Sequence, residues 1–208
     1  ADLTWALILA TSRYIIKGHK MCVENKFKGW SPTMLMGKEL FGSTLGIVGM
    51  GRIGSAVARR AFGFGMKVVY CNRHSITEME KIFPNTNSSN YPEYVDIDEL
   101  CKRADIVSLH CPLNDEAFHL FNENRLLSCK QDSVLVNMAR GPVVDESALV
   151  NALKKDHFMG VGLDVYEKEP QINPALKEFD RVVLLPHIGS STISTTLCAV
   201  ESTEVVHG

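Results

Sequence analysis

The chain has 208 residues, 45% hydrophobic and 22% charged, with a formal net charge of -2 at pH 7. These are ordinary globular values, enough for one large domain or two small ones. They exclude the basic field of a nucleic-acid binder or of a protein drawn to anionic membranes, and the early apolar run 5–10 is too short to span a bilayer. The opening stretch has neither the basic flank nor the small-residue cleavage site of a signal peptide, so the cytoplasm is the expected address. Cys22, Cys71, Cys101, Cys111, Cys129 and Cys198 form no C-x-x-C pair and no metal-ligand spacing with the histidines, so no metal is expected. They read as small buried hydrophobes in a reducing compartment.

Taken in chain order, residues 1–17 read as one helix opened by Asp2. It is apolar nearly all round through Leu3, Ala6, Leu7 and Ala10, which points to packing between domains or subunits. Short, apolar, mostly β-branched runs follow at 44–48, 67–71, 106–110, 134–137, 160–164 and 182–185. Helical stretches lie between them at 53–64, 98–103, 123–129 and 146–155. Continuous rather than alternating apolarity fits strands covered on both faces. The fold class is therefore α/β, a Rossmann-type doubly wound parallel sheet. Residues 84–92 are polar and turn-rich and should form a surface loop, while 192–206 reads as a helix without a clear cap.

The segment from Leu45 to Gly54 carries G-x-G-x-x-G at Gly49, Gly51 and Gly54, leaving a strand and opening a helix. Gly49 permits the tight turn, Gly51 lets backbone approach a pyrophosphate, and Gly54 lets helix meet strand. The helix start, with Arg52 and Ile53, offers free N–H groups and a partial positive charge to phosphates. About twenty residues on, an NAD enzyme places an acid against the adenosine ribose hydroxyls. This chain has Cys71, Asn72, Arg73 and His74 there instead. Asn72 cannot repel a 2′-phosphate, Arg73 can clamp one with its fork of donors, and His74 can assist. The expected cofactor is NADP(H), with NAD(H) as the alternative.

Three further stretches end apolar runs in chemistry-bearing residues: Val136 to Glu146 around Arg140, Gly162 to Pro170 with Asp164 and Glu169, and Leu184 to Ser191 with His187. In open parallel sheets ligands bind outside the carboxyl ends of the strands. Together these motifs resemble the signatures of the D-isomer-specific 2-hydroxyacid dehydrogenases, from Ala1 to about Ala199. Within that family G-M-G-R-I-G, A-R-G-P-V-V-D-E and L-P-H-I-G-S are most similar to glyoxylate/hydroxypyruvate reductases. The resemblance implies that His187 is the acid protonating the carbonyl oxygen, that Glu169 orients its other ring nitrogen, and that Arg140 holds the substrate carboxylate. It implies that Asp164 lies at the nicotinamide end, with Cys111, Pro112, Met138 and Gly189 as walls around the ring. The other histidines have no comparable context, and Glu167 reads as a loop acid.

The resemblance also implies an organisation. Residues 1–20 would be a crossover and dimerisation helix, 21–190 the dinucleotide-binding domain, and 191–208 the start of a helix returning to a substrate domain absent from this chain. Such a chain should bind cofactor, dimerise, take a small 2-oxo acid and contact neither nucleic acid nor membrane, but turn over substrate poorly by itself. The competing reading is an NAD(H)-sensing corepressor-like protein of the same family, which keeps the same three polar residues.

Overall fold

The computed structural model describes residues 1–193 except Asn85, so nearly all of the helix expected over 192–206, and Cys198, lie outside the described residues. Seven strands form one parallel sheet: β1 (Thr44–Val48), β2 (Lys67–Cys71), β3 (Glu93–Tyr94), β4 (Ile106–Leu109), β5 (Val134–Asn137), β6 (Gly160–Leu163) and β7 (Val182–Leu184). Their order is β3-β2-β1-β4-β5-β6-β7, so the winding reverses between β1 and β4 and opens a crevice at their carboxyl ends.

Both faces of the sheet are covered, as the unbroken apolar strands require. On one face Leu100 of α5 (Ile97–Arg103), Leu126 of α6 (Glu123–Ser128) and Leu149 and Leu153 of α7 (Glu146–Lys154) share a core with Val107, Leu109, Leu135 and Leu163. On the other, Leu7 and Ile8 of α1 (Asp2–Ser12) and Val57, Ala58 and Ala61 of α3 (Arg52–Gly63) cover Leu45, Ile47, Ile106 and Val136. Three helices are started by a side-chain oxygen taking a free N–H: Asp96 from Glu99, Asn122 from Arg125, and Asp145 from Ala148.

The expected helix over 1–17 is corrected in two respects. It ends at Ser12, Tyr14 adopts a left-handed φ of 51°, and a separate α2 (Ile15–Val23) follows. Ala1 rather than Asp2 is the cap residue, and Asp2 instead pairs with Arg60 at 2.7 Å. Trp5 is buried, donates from Nε1 to the Val57 carbonyl at 3.2 Å and stacks on Phe64, while Ala6 faces solvent. A short α4 (Met79–Ile82) precedes the loop 84–92, which contains a 3-10 turn at Ser88–Asn90, and the two-residue β3 follows it. Cys101 and Cys129 are buried as expected, but Cys22 is exposed.

The amino edge of the sheet is fastened by Asp105. One carboxylate oxygen accepts the Thr44 N–H at 2.8 Å; the other takes Lys130 at 2.9 Å and lies 3.6 Å from Lys38. Partial burial pushes this carboxyl up, but the Thr44 N–H and the two lysines outweigh it and hold it below its ordinary value. A depressed carboxyl contributes stability that is present above its unfolded pKa of about 3.9 and lost as pH falls through the folded value. Asp105→Ala should therefore lower unfolding free energy at pH 7 by about 1–3 kcal/mol in urea titrations. The deficit should shrink below pH 4, where the wild type loses the same contribution.

Candidate functional site

A cleft of about 540 Å³ opens at the crevice between β1 and β4, lined by Gly49, Met50, Gly51, Cys71, Asn72, Arg73, His74, Cys111 and Pro112 among others. Its floor is the turn after β1. Gly49 has φ +98°, and a Cβ there would stand 2.6 Å from the Cys111 nitrogen, so only glycine fits. Gly54 packs against the Gly49 carbonyl, whereas Gly51 faces open space and leaves its backbone free for a ligand. Arg52 and Ile53 follow at the exposed start of α3. Two bonds from the end of β2 set the turn: Gly49 N–H to the Cys71 carbonyl at 3.0 Å, and Met50 N–H to Asn72 Oδ1 at 2.7 Å. Asn72 thus shapes the turn, a role the residue pattern did not disclose. Arg73 and His74 are exposed on the rim, and Arg73 has no hydrogen-bond or ion-pair partner among the described residues.

The cleft is apolar where the two cysteines sit. Burial pushes the Cys111 thiol up to about 11 and raises Cys71 as well, so both are protonated walls rather than nucleophiles. His110 also lines the cleft. Its Nε2 bonds Ser108 at 2.8 Å, and burial lowers its pKa to about 3, so it is neutral.

A second group forms where β5, β6 and β7 end side by side, with Asn137 opposite Leu163 and Leu163 opposite Leu184. His187 leaves β7 in a left-handed conformation, φ 54°, and its Nδ1 lies 2.7 Å from Glu169 Oε2. Glu169 Oε1 accepts the Tyr166 N–H at 3.0 Å. Partial burial raises the Glu169 carboxyl, but the His187 hydrogen bond, the Tyr166 N–H and the charges of His187 and Arg140 together hold it below the usual range. Arg140 is exposed and donates from Nη1 to the Ala139 carbonyl at 2.8 Å. Asn137, buried at the end of β5, braces that loop by accepting from Ala139 N–H and donating to the Arg140 carbonyl.

Asp164 is almost fully buried, and its two oxygens accept the N–H groups of Ile188 at 2.8 Å and Gly189 at 2.7 Å. It sets the loop behind His187. Met138 reaches the same place, where a Cβ on Gly189 would lie 3.2 Å from its methyl. The structure thus gathers Gly49, Gly51, Asn72, Arg73, His74, Cys111 and Pro112 at the cleft, and Arg140, Glu169 and His187, with Asp164, Met138 and Gly189, at the ends of β5 to β7. The residues missed from sequence are Asn72 as a brace, Asn137, and His119 with Glu167, which lie 2.6 Å apart. Their only sequence signal is that each adjoins a motif; their partners are remote in the chain.

Residues 5–189 match the family described as D-isomer specific 2-hydroxyacid dehydrogenase, NAD binding domain. A glyoxylate reductase of Thermococcus onnurineus is 45% identical over 196 residues, covering 92% of this chain and 57% of that protein. The chain thus spans little more than half the length of such relatives. Among solved structures, D-lactate dehydrogenase from Aquifex aeolicus, complexed with NAD and lactic acid, superposes with a TM-score of 0.84 at 31% identity, covering 99% of this chain and 64% of that one. An acyclic imino acid reductase in complex with NADPH and D-arginine superposes with a TM-score of 0.80 at 31% identity, covering 94% and 59%.

Asp164→Asn would turn an amide donor toward one of two backbone donors. The loss should be about 1–3 kcal/mol of stability. Amide exchange at Ile188 and Gly189 should accelerate selectively. Unchanged exchange at both would contradict the bracing role.

Proposed function

The chain belongs to the D-isomer-specific 2-hydroxyacid dehydrogenase family through its NAD-binding domain, and from that premise we propose that it serves an oxidoreductase using NADP(H) on a small 2-oxo or 2-hydroxy acid. Glyoxylate or hydroxypyruvate is the proposed substrate, in the direction of reduction. The observation that carries this reading is the 2.7 Å contact between His187 and Glu169 beside the charge of Arg140, at the sheet edge that also holds the glycine turn.

The cleft fits a dinucleotide: Gly51 exposes backbone at a helix start, and any Cβ at Gly49 would close the turn. When bound, the nicotinamide supplies or accepts the hydride. The rest of the chemistry falls to the chain's own side chains. Glu169 fixes His187 through Nδ1, leaving Nε2 to give a proton to the carbonyl oxygen. Arg140 offers a planar, permanent cation to the substrate carboxylate and polarises the adjacent carbonyl. The preference for NADP(H) rests on Arg73, a guanidinium on the rim without a partner among the described residues, and on the absence of a carboxylate at the end of β2. The same pair of features favours the reductase over an NAD(H)-sensing corepressor.

The reading includes an organisation: residues 1–20, which span α1 and the start of α2, as a crossover and dimerisation segment, and 21–190 as dinucleotide domain. Exposed Ile15, Ile16, Phe27 and Trp30, the last 81% accessible, support a homodimer surface along α2 and the segment after it. The cytoplasm is the proposed location.

Calorimetric titration tests the cofactor assignment. NADPH should bind roughly tenfold or more tightly than NADH, and Arg73→Ala should erase the difference. Equal affinities in the wild type would contradict it. In the protein extended to the length of its relatives, His187→Gln should lower kcat by about 10²–10⁴-fold, whereas the chain alone should show little turnover.

A further inference from the structure

Next to the proposed reacting groups, three loops are fastened by a cluster that the hydride chemistry does not use. Glu146 and Glu167 clasp each other's backbone: Glu146 Oε1 accepts the Glu167 N–H at 2.8 Å, and Glu167 Oε1 accepts the Glu146 N–H at 3.3 Å. This joins the loop that carries Arg140 to the loop that carries Glu169. Gly141 makes the same seam tight, since a Cβ there would stand 1.8 Å from the Tyr166 carbonyl carbon. His119, from the loop after β4, closes the cluster. Its Nε2 lies 2.6 Å from Glu167 Oε1 and its Nδ1 3.8 Å from Asp145 Oδ2. Its own N–H donates to the Pro142 carbonyl at 2.7 Å, and its ring stacks on Phe118.

The charges explain why a histidine stands there. Glu146 is nearly buried, and burial together with the Glu167 charge raises its carboxyl despite the Glu167 N–H and Lys168. With Asp145, three carboxylates crowd one seam, and His119 sets Nε2 against one of them and Nδ1 3.8 Å from a second. His119, Asp145 and Glu167 bring ligand-type atoms within 4.8 Å of one another. Glu167 Oε1 already takes His119 Nε2 and the Glu146 N–H, and Asp145 Oδ1 caps α7. The cluster is a hydrogen-bonded clasp.

We infer that His119 is a positioning residue which, through Glu167, holds the Arg140 loop and the Glu169–His187 pair at their working separation. The inference rests on the reading of those three residues as the reacting groups. The test is a carbon-13 titration of the Glu169 carboxyl in the protein with labelled glutamate. In the wild type Glu169 should titrate below the ordinary range. In His119→Ala it should move up, as its partners drift apart. In His119→Gln, whose side-chain amide can replace the Nε2 donor, most of the wild-type position should return. Both variants remove the imidazole alike, so a simple field effect of that ring would shift them equally, and that result would overturn the inference. An unmoved Glu169 in His119→Ala would also overturn it. Should the alanine variant not fold, His119→Asn, too short to reach Glu167, takes its place with the same expected result. Ordinary titration of Glu169 already in the wild type would instead remove the ion pair beneath the proposed function, and this inference with it.

Discussion

Every loop that carries chemistry in this chain leaves the same edge of one parallel sheet, and strand register decides which of those loops meet. Val48 stands opposite Cys71 and Leu109, which brings the glycine turn, the Asn72–Arg73 rim and Cys111 around one cleft. Asn137, Leu163 and Leu184 end in line, so loops of only three to six residues carry Arg140, Glu169 and His187 into one neighbourhood. A parallel sheet can do this because it is buried on both faces, and its continuous apolar strands leave polar groups only at the ends. The reversal of winding between β1 and β4 then opens the crevice where a ligand can enter.

The edge works only because its loops are braced from below. Asn72 holds the glycine turn, Asn137 the Arg140 loop, and Asp164 the loop behind His187. In each case a short side chain accepts backbone N–H groups that would otherwise lack partners near the core, which is where an unmade bond is most costly. The exposed residues at the edge are thus held by buried ones. That division separates a rigid frame from groups free to meet a ligand.

Much of this was legible in the sequence, for a physical reason. The six longer strands appear as apolar runs because both faces are covered, and only their last residues differ, at His110, Asp164 and Leu185. Arg140, Glu169 and His187 stand out because each is a polar group a few residues past the end of such a run. What was not legible depended on contacts distant in the chain. The left-handed Tyr14 divides a stretch of good helix formers, and nothing local marks it. β3 is two exposed residues without an apolar run. The links from His119 to Glu167 and from Asn72 to Met50 join residues 48 and 22 positions apart, so no periodicity reveals them.

The central claim is that the glycine turn and the His187 loop serve one bound dinucleotide. A titration of nitrogen-15-labelled protein with NADPH tests it most directly. The account predicts that the amides of Gly51, Arg52 and Ile53, and those of Ile188 and Gly189, shift together and saturate at one NADPH concentration. Shifts confined to one group, or two groups saturating at different concentrations, would contradict it.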